Sequence, residues 1–227
     1  MKNLGIQATN KSLLSFFASK KKNHFGMTPM GAIDQAAEEL NTRFLNLDEL
    51  VLGVDHDVDA VFIEASMLRN STFKEKMTAI EKELPYLNTW DLTDEIIRFI
   101  KKPVPQEEIT KYSKKFLKNR NPFVRRLGYT LWLKSDLTQE KTLQMIFPLF
   151  KSQEEYTVLM AEAWLISYMF IYSFSATYEF IRNSSLDYKL ISLGLTKTTD
   201  SFRISEEDKI KIRALRDFKR DLKSKKE

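Results

Sequence analysis

The chain has 227 residues, a formal net charge of +5, 43% hydrophobic and 30% charged residues, proportions of a folded globular protein rather than a disordered one. It contains no cysteine, which excludes a disulfide framework, a thiolate nucleophile and cysteine-ligated zinc or iron–sulfur sites. With only six glycines and six prolines there is little material for the turns of an all-β fold or for a Gly-rich nucleotide loop, so an all-α fold is expected.

In chain order, "MKNLGIQATNKSLLSFFASKKK" places an apolar patch before its lysines, the reverse of a secretory signal. Residues 1–25 are expected to form a short N-terminal helical segment. Lys20, Lys21 and Lys22 in "ASKKKNHF" are candidate phosphate contacts, although a solvated helix end is the commoner role of such a run. His24 and His56 are the only histidines and no HExxH-type spacing exists, so neither a metal site nor a histidine-centred triad is expected, and no cofactor. "PVPQEEITKYSKKFLK" predicts a helix from Pro105, with Glu107 and Glu108 in the dipole-favoured first turn and lysines in the last. "NPFVRRLGYTLWLK" opens with Asn121 as N-cap and Pro122 at the first helical position.

The most apolar window, "VLMAEAWLISYMFIYSF", carries Glu162 and tyrosines and falls short of the roughly 20 residues of a membrane span, so no membrane association and a cytoplasmic location are expected. "SEEDKIKIRALRDFKRDLK" has Ser205 and Asp208 in capping-box-like spacing, then Ile210, Leu215, Phe218 and Leu222 at near-helical intervals. A basic C-terminal helix is expected over 203–227, and the tail from Ser201 holds ten basic and six acidic residues. The sequence pI of about 9.1 permits a polyanionic partner without demanding one.

A repeat emerges when the helix starts are compared. Segments beginning at Asp57, Trp90, Phe123 and Thr157 lie 33 or 34 residues apart, with another helix-length stretch between each pair. Two helices per unit at that period predict an α-solenoid, with the second helices side by side on the partner-binding surface. Counted within the repeat, Asp94, Arg126 and Trp164 fall within about one turn of each other on neighbouring helices, and Trp90 and Asp94 share a helix face.

These segments resemble the DNA-alkylation-repair family of HEAT-like repeat proteins, whose best-known members are glycosylases that excise N-alkylated purines. The resemblance rests on "HFGMTP" from His24, similar to the family's aromatic-Gly-hydrophobic-x-Pro entry, and on "TWDLTDE", similar to its Trp-Asp-x-x-Asp motif. It continues through "NPFVRRLGYTLWL", similar to its aromatic-x-x-Arg helix, "AEAWLISY", similar to its Ala-x-x-Trp helix, and "DSFRISEEDKIKIRALR", similar to a tail of some members. It implies a single domain over 1–227, a right-handed α-solenoid of HEAT-like repeats with a concave DNA-binding face, acting as a monomer on double-stranded DNA that is alkylated or distorted. It further implies that Asp94 is the catalytic carboxylate, that Trp90 and Trp164 line the lesion site, and that Arg126, or its neighbour Arg125, holds the DNA backbone.

The residue types suit that chemistry. An N3- or N7-alkylated purine is already a cationic leaving group, so loss of the base builds positive charge on the sugar. A fixed carboxylate stabilises that charge and orients water. Indoles attract a cationic nucleoside, and arginine grips phosphate.

Each residue also has a structural reading. Asp91, Asp94 and Glu95 suit a helix N-terminus by dipole alone; Trp90 and Trp164 suit a core; the arginines can bridge helices; and Trp132 is assigned to packing. The sequence departs from the family pattern in three places: the stretch before His24 is short, no basic residue soon follows Pro29, and "LISYMF" follows Trp164 where Leu-Arg-Glu is common. Three functions remain open: an alkylpurine glycosylase, a relative that binds damaged or non-B-form DNA without excision, and a scaffold for a protein partner.

Overall fold

The computed structural model describes residues 71–98, 100 and 104–225, together with Ser19, Lys22, Gly31, Ala32 and Gln35, which are helical. Among the described residues every regular element is an α-helix or a 3-10 turn, and none is a strand. The chain divides into two compact units, Met1–Lys101 and Lys102–Glu227.

In the first unit, α1 (Phe73–Glu83) starts at a capping box. Thr72 N donates to Glu75 Oε2 at 2.7 Å, and Glu75 N donates to Thr72 Oγ1 at 3.3 Å. A 3-10 turn at 84–86 containing Pro85 follows α1. The next helix, α2 (Trp90–Arg98), starts after Thr89, whose hydroxyl accepts from Leu92 N at 3.3 Å. Leu92, Thr93, Ile96 and Ile97 form its buried side at helical spacing, and Asp91 is exposed.

The second unit holds α3 (Gln106–Phe116), α4 (Pro122–Thr130), α5 (Glu140–Ile146), α6 (Tyr156–Tyr172), α7 (Phe174–Asn183), α8 (Tyr188–Thr199) and α9 (Glu206–Ser224). The expected caps of α4 and α9 are present: Asn121 Oδ1 accepts from Phe123 N at 2.9 Å, and Ser205 Oγ accepts from Asp208 N at 3.1 Å. Pro105, which the sequence suggests as the first helical residue, is instead the N-cap of α3, so the helix starts one residue later, at Gln106.

Two series of helices alternate. One begins at residues 122, 156 and 188, the other at 106, 140, 174 and 206. The helix at Tyr188 extends the sequence period by one unit, and its cap, Asp187 Oδ1 accepting from Lys189 N at 2.7 Å, is the local signal for it. Within this unit α4 packs against α6 and α6 against α8, while α3, α7 and α9 pack on α4, α6 and α8 respectively. With a neighbour on either side, α6 is apolar almost all round, and ten of its 17 residues are buried.

The α6–α8 contact depends on Gly194, where an added Cβ would lie 2.8 Å from Ile166 Cγ2. Trp132 is 1% exposed and its Nε1 donates to Ser113 Oγ at 2.8 Å, the packing role expected of it. Of the four apolar residues spaced along α9, only Leu215 is buried. Ile210, Phe218 and Leu222 face outward, and the inner side is Ile212, Leu215 and the stem of Lys219. The 17-residue α6 ends at Ser173, where backbone angles of φ −147° and ψ 66° separate it from α7. Among the described residues no helix is long and apolar enough to cross a membrane.

Candidate active site

The candidate site residues fall in both units. Trp90, the first residue of α2, and Asp94, one turn later, are both half-buried, beside the exposed Asp91. The fixed start of α2 at the Thr89 cap sets their register, so indole and carboxylate lie on one helix face, as a spacing of four requires.

In the second unit the structure brings two candidate residues together. The Arg126 guanidinium, on α4, lies 5.9 Å from the ring centroid of Trp164 on α6, and its Nη1 donates to the backbone carbonyl of Thr157 at 3.1 Å. Arg126 is only 3% exposed, so its charge is held against the indole and the first turn of α6 rather than in solvent. The adjacent Arg125 points elsewhere. Its Nη1 donates to the carbonyls of Asn119 at 3.0 Å and Arg120 at 2.9 Å, and its Nη2 pairs with Glu155. That side chain is 13% exposed and braces the α3–α4 turn to the segment before α6. The Glu155 carboxyl is held below its usual range by its own backbone N–H and then by Arg125. Of the lysine cluster, Lys22 is helical and exposed, and Lys20 and Lys21 lie outside the described residues, as do His24 and His56.

A buried carboxylate that the sequence marks only as an interruption of an apolar run organises the entry to α6. Glu162 is 0% exposed, and its two oxygens accept from Lys151 N at 2.7 Å and Gln153 N at 3.1 Å. Burial raises its carboxyl above the ordinary range, and the two backbone donors oppose that rise without cancelling it. Burial likewise raises the Tyr129 hydroxyl, which donates to the Leu149 carbonyl at 2.8 Å. The loop they hold carries Ser152 at φ 53°, the left-handed region, and Ser152 Oγ accepts from Asp187 N at 3.0 Å. Glu162 thus fixes the segment that carries Glu155, and Arg126 fixes the turn that follows it.

From Trp164 the rings continue along α6. Tyr168 meets it edge-on, with centroids 6.0 Å apart and planes at 84°, and Tyr172 follows at 6.2 Å. Arg203, in the turn between α8 and α9, places its guanidinium 4.8 Å from the Tyr168 ring. The sequence signal for these rings is a spacing of four from Trp164.

The described residues contain no cluster of acidic or histidine side chains able to hold a metal ion. The candidate positions themselves supply an indole and a carboxylate in the first unit and an indole beside a guanidinium in the second. Searches of curated proteins and of solved structures return no match. A family model described as DNA alkylation repair enzyme matches residues 4–192. That span contains Trp90, Asp94, Arg125, Arg126 and Trp164 and makes DNA the implied substrate and repair the implied role. Extending over far more than half of the 227 residues, the match means that the chain belongs to the DNA alkylation repair enzyme family.

Proposed function

We propose that the protein is an N3/N7-alkylpurine DNA glycosylase, built as a right-handed α-solenoid of HEAT-like repeats that binds double-stranded DNA in a concave groove. The alternating 32–34-residue helix starts and the side-by-side packing of α4, α6 and α8 support the solenoid.

The observation that carries the reading is the indole–guanidinium pair of Trp164 and Arg126, formed by two motif positions on neighbouring helices. In the proposed reaction the C1′–N bond of the alkylated purine breaks and its electron pair leaves with the cationic base. The Asp94 carboxylate stabilises the positive charge that grows on the sugar and orients the water that attacks C1′. Trp90 and Trp164 receive the cationic nucleoside against their rings. Arg126, committed to a protein acceptor, acts on the DNA backbone chiefly through its charge, whereas Arg125, paired with Glu155, serves mainly to brace the fold beside it. Exposed cations such as Lys22, with Lys20 and Lys21 beside it in sequence, make the direct phosphate contacts.

A second reading, binding of damaged or non-B-form DNA without excision, is favoured by the aromatic residues Tyr168 and Tyr172 that follow Trp164. Single-turnover assays with protein in excess over methylated duplex DNA separate the two. Release of free methylated base by the wild type, lost in Asp94→Asn with DNA binding retained, supports the glycosylase. Binding without base release leaves the second reading, and no binding at low salt removes both.

A further inference from the structure

The surface that α6 leaves uncovered has a composition that excision chemistry accounts for only at Trp164 and that packing does not explain. Outside the ten buried positions of this helix, the residues that reach solvent are Tyr156, Thr157, Met160, Trp164, Tyr168, Ile171 and Tyr172. They follow spacings of three and four, so they form one ridge along the helix. Seventeen residues at the helical rise make the ridge roughly 25 Å long.

No ridge residue is charged and four are aromatic, with Tyr156 57% and Tyr172 41% exposed. Among the described residues, guanidinium groups sit over its rings from the flanks: Arg126 over Trp164 on one side, and the exposed Arg203 over Tyr168 on the other. Beside Arg203, Phe202 projects from the same turn at 94% exposure. The turn itself is held by Ser201, whose Oγ accepts from Arg203 N at 3.2 Å.

We propose that this ridge is a stacking platform for unpaired nucleotides, so that the protein engages a locally opened or single-stranded segment of its DNA. The proposal rests on the reading of the protein as DNA-binding and specifies which form of DNA it holds. Duplex DNA turns phosphates outward and hides the faces of its bases, so an uncharged aromatic ridge offers it nothing. Unpaired bases expose their faces, and rings spaced along a groove with guanidinium groups at its edge take them irrespective of sequence. The ring centroids, 6.0 and 6.2 Å apart, and their unlike tilts fit bases splayed from one another better than a continuous stack. Arg203 and Phe202, carried on a short turn beside the ridge, supply a second stacking plane and a phosphate partner.

The test is fluorescence anisotropy with a labelled single-stranded oligothymidine, a duplex of mixed sequence and the same duplex carrying an unpaired bulge, at low and moderate salt. The expected order is single strand and bulge tighter than duplex. Tyr168→Ala with Tyr172→Ala weakens single-strand binding on the order of tenfold or more while leaving duplex binding within about twofold. Tyr168→Phe with Tyr172→Phe restores it, because the ring rather than the hydroxyl does the stacking. Phe202→Ala, at a position too exposed to affect folding, weakens single-strand binding several-fold.

Tighter binding of duplex than of single strand, or unchanged single-strand affinity in the folded alanine variants, overturns the platform while leaving DNA binding in place. Failure to bind any of the three DNAs overturns it together with the DNA reading. Concentration-dependent self-association of the wild type that disappears in Tyr168→Ala/Tyr172→Ala, with no change in DNA binding, makes the ridge a contact between copies of this chain and also overturns it.

Discussion

Removing the Glu162 carboxylate tests whether a single buried acid sets the segment leading into α6. In Glu162→Ala two backbone N–H groups, those of Lys151 and Gln153, lose acceptors at 2.7 and 3.1 Å. Each hydrogen bond to a charged group contributes about 1.5–3 kcal/mol net, offset in part because the variant no longer buries a carboxylate, so a loss of about 2–4 kcal/mol is expected. Glu162→Gln keeps the shape but offers one acceptor in place of two, and a loss of roughly 1–3 kcal/mol is expected. Urea unfolding followed by tryptophan fluorescence measures both, with an unchanged slope showing that the native state stays compact. The pH dependence gives a second constraint. Because the folded-state carboxyl sits above its ordinary value, its contribution is fully present below the unfolded value of 4.5 and is lost as pH rises through the folded one. The glutamine variant has no such titration, so the stability advantage of wild type over Glu162→Gln should shrink as pH is raised from about 4 to about 7. An Ala variant within about 0.5 kcal/mol of wild type would refute the loop-organising role, and an advantage that grows with pH would show that the backbone donors outweigh burial.

Two further outcomes follow from the packing and the arginines. Gly194→Ala should cost about 1–3 kcal/mol, because the new methyl meets Ile166 Cγ2 at 2.8 Å in a filled contact. Combination with Ile166→Ala should cost less than the sum of the two single variants in a double-mutant cycle, and strict additivity would show that the two side chains do not collide. Arg125→Met should lower stability by breaking the brace to Asn119, Arg120 and Glu155, while the salt dependence of DNA binding changes little. A fall in the log–log salt slope of about one would instead show that Arg125 reaches a phosphate directly.

What the sequence discloses about the fold is mostly its punctuation. Asn121–Pro122 and Ser205–Asp208 mark helix starts to the residue, because caps are local chemistry carried by the adjacent backbone. Periodicity is less reliable in α9, where two apolar stripes coexist and tertiary contact with α8 and α7 decides that Ile212 and Leu215, rather than Ile210 and Phe218, turn inward. At the candidate site, the repeat register suffices to predict that Arg126 and Trp164 meet. It cannot predict that Arg126 is withdrawn from solvent, since that depends on a backbone carbonyl at Thr157, which has no sequence signature. Glu162 was hidden for the same reason: its partners are main-chain amides, which every residue but proline possesses. The aromatic ridge was legible as a spacing of four, but its exposure depends on which sides of α6 its neighbours cover.

The placement of α6 between two packed neighbours bears on how such a protein can diverge. Most substitutions in that helix disturb contacts with α4 or α8 and are selected against through stability. The uncovered strip is relieved of that constraint, so its side chains can be exchanged one at a time without dismantling the stack. A lineage could therefore change what it holds by rewriting a handful of positions on one helix, leaving the architecture that carries them untouched.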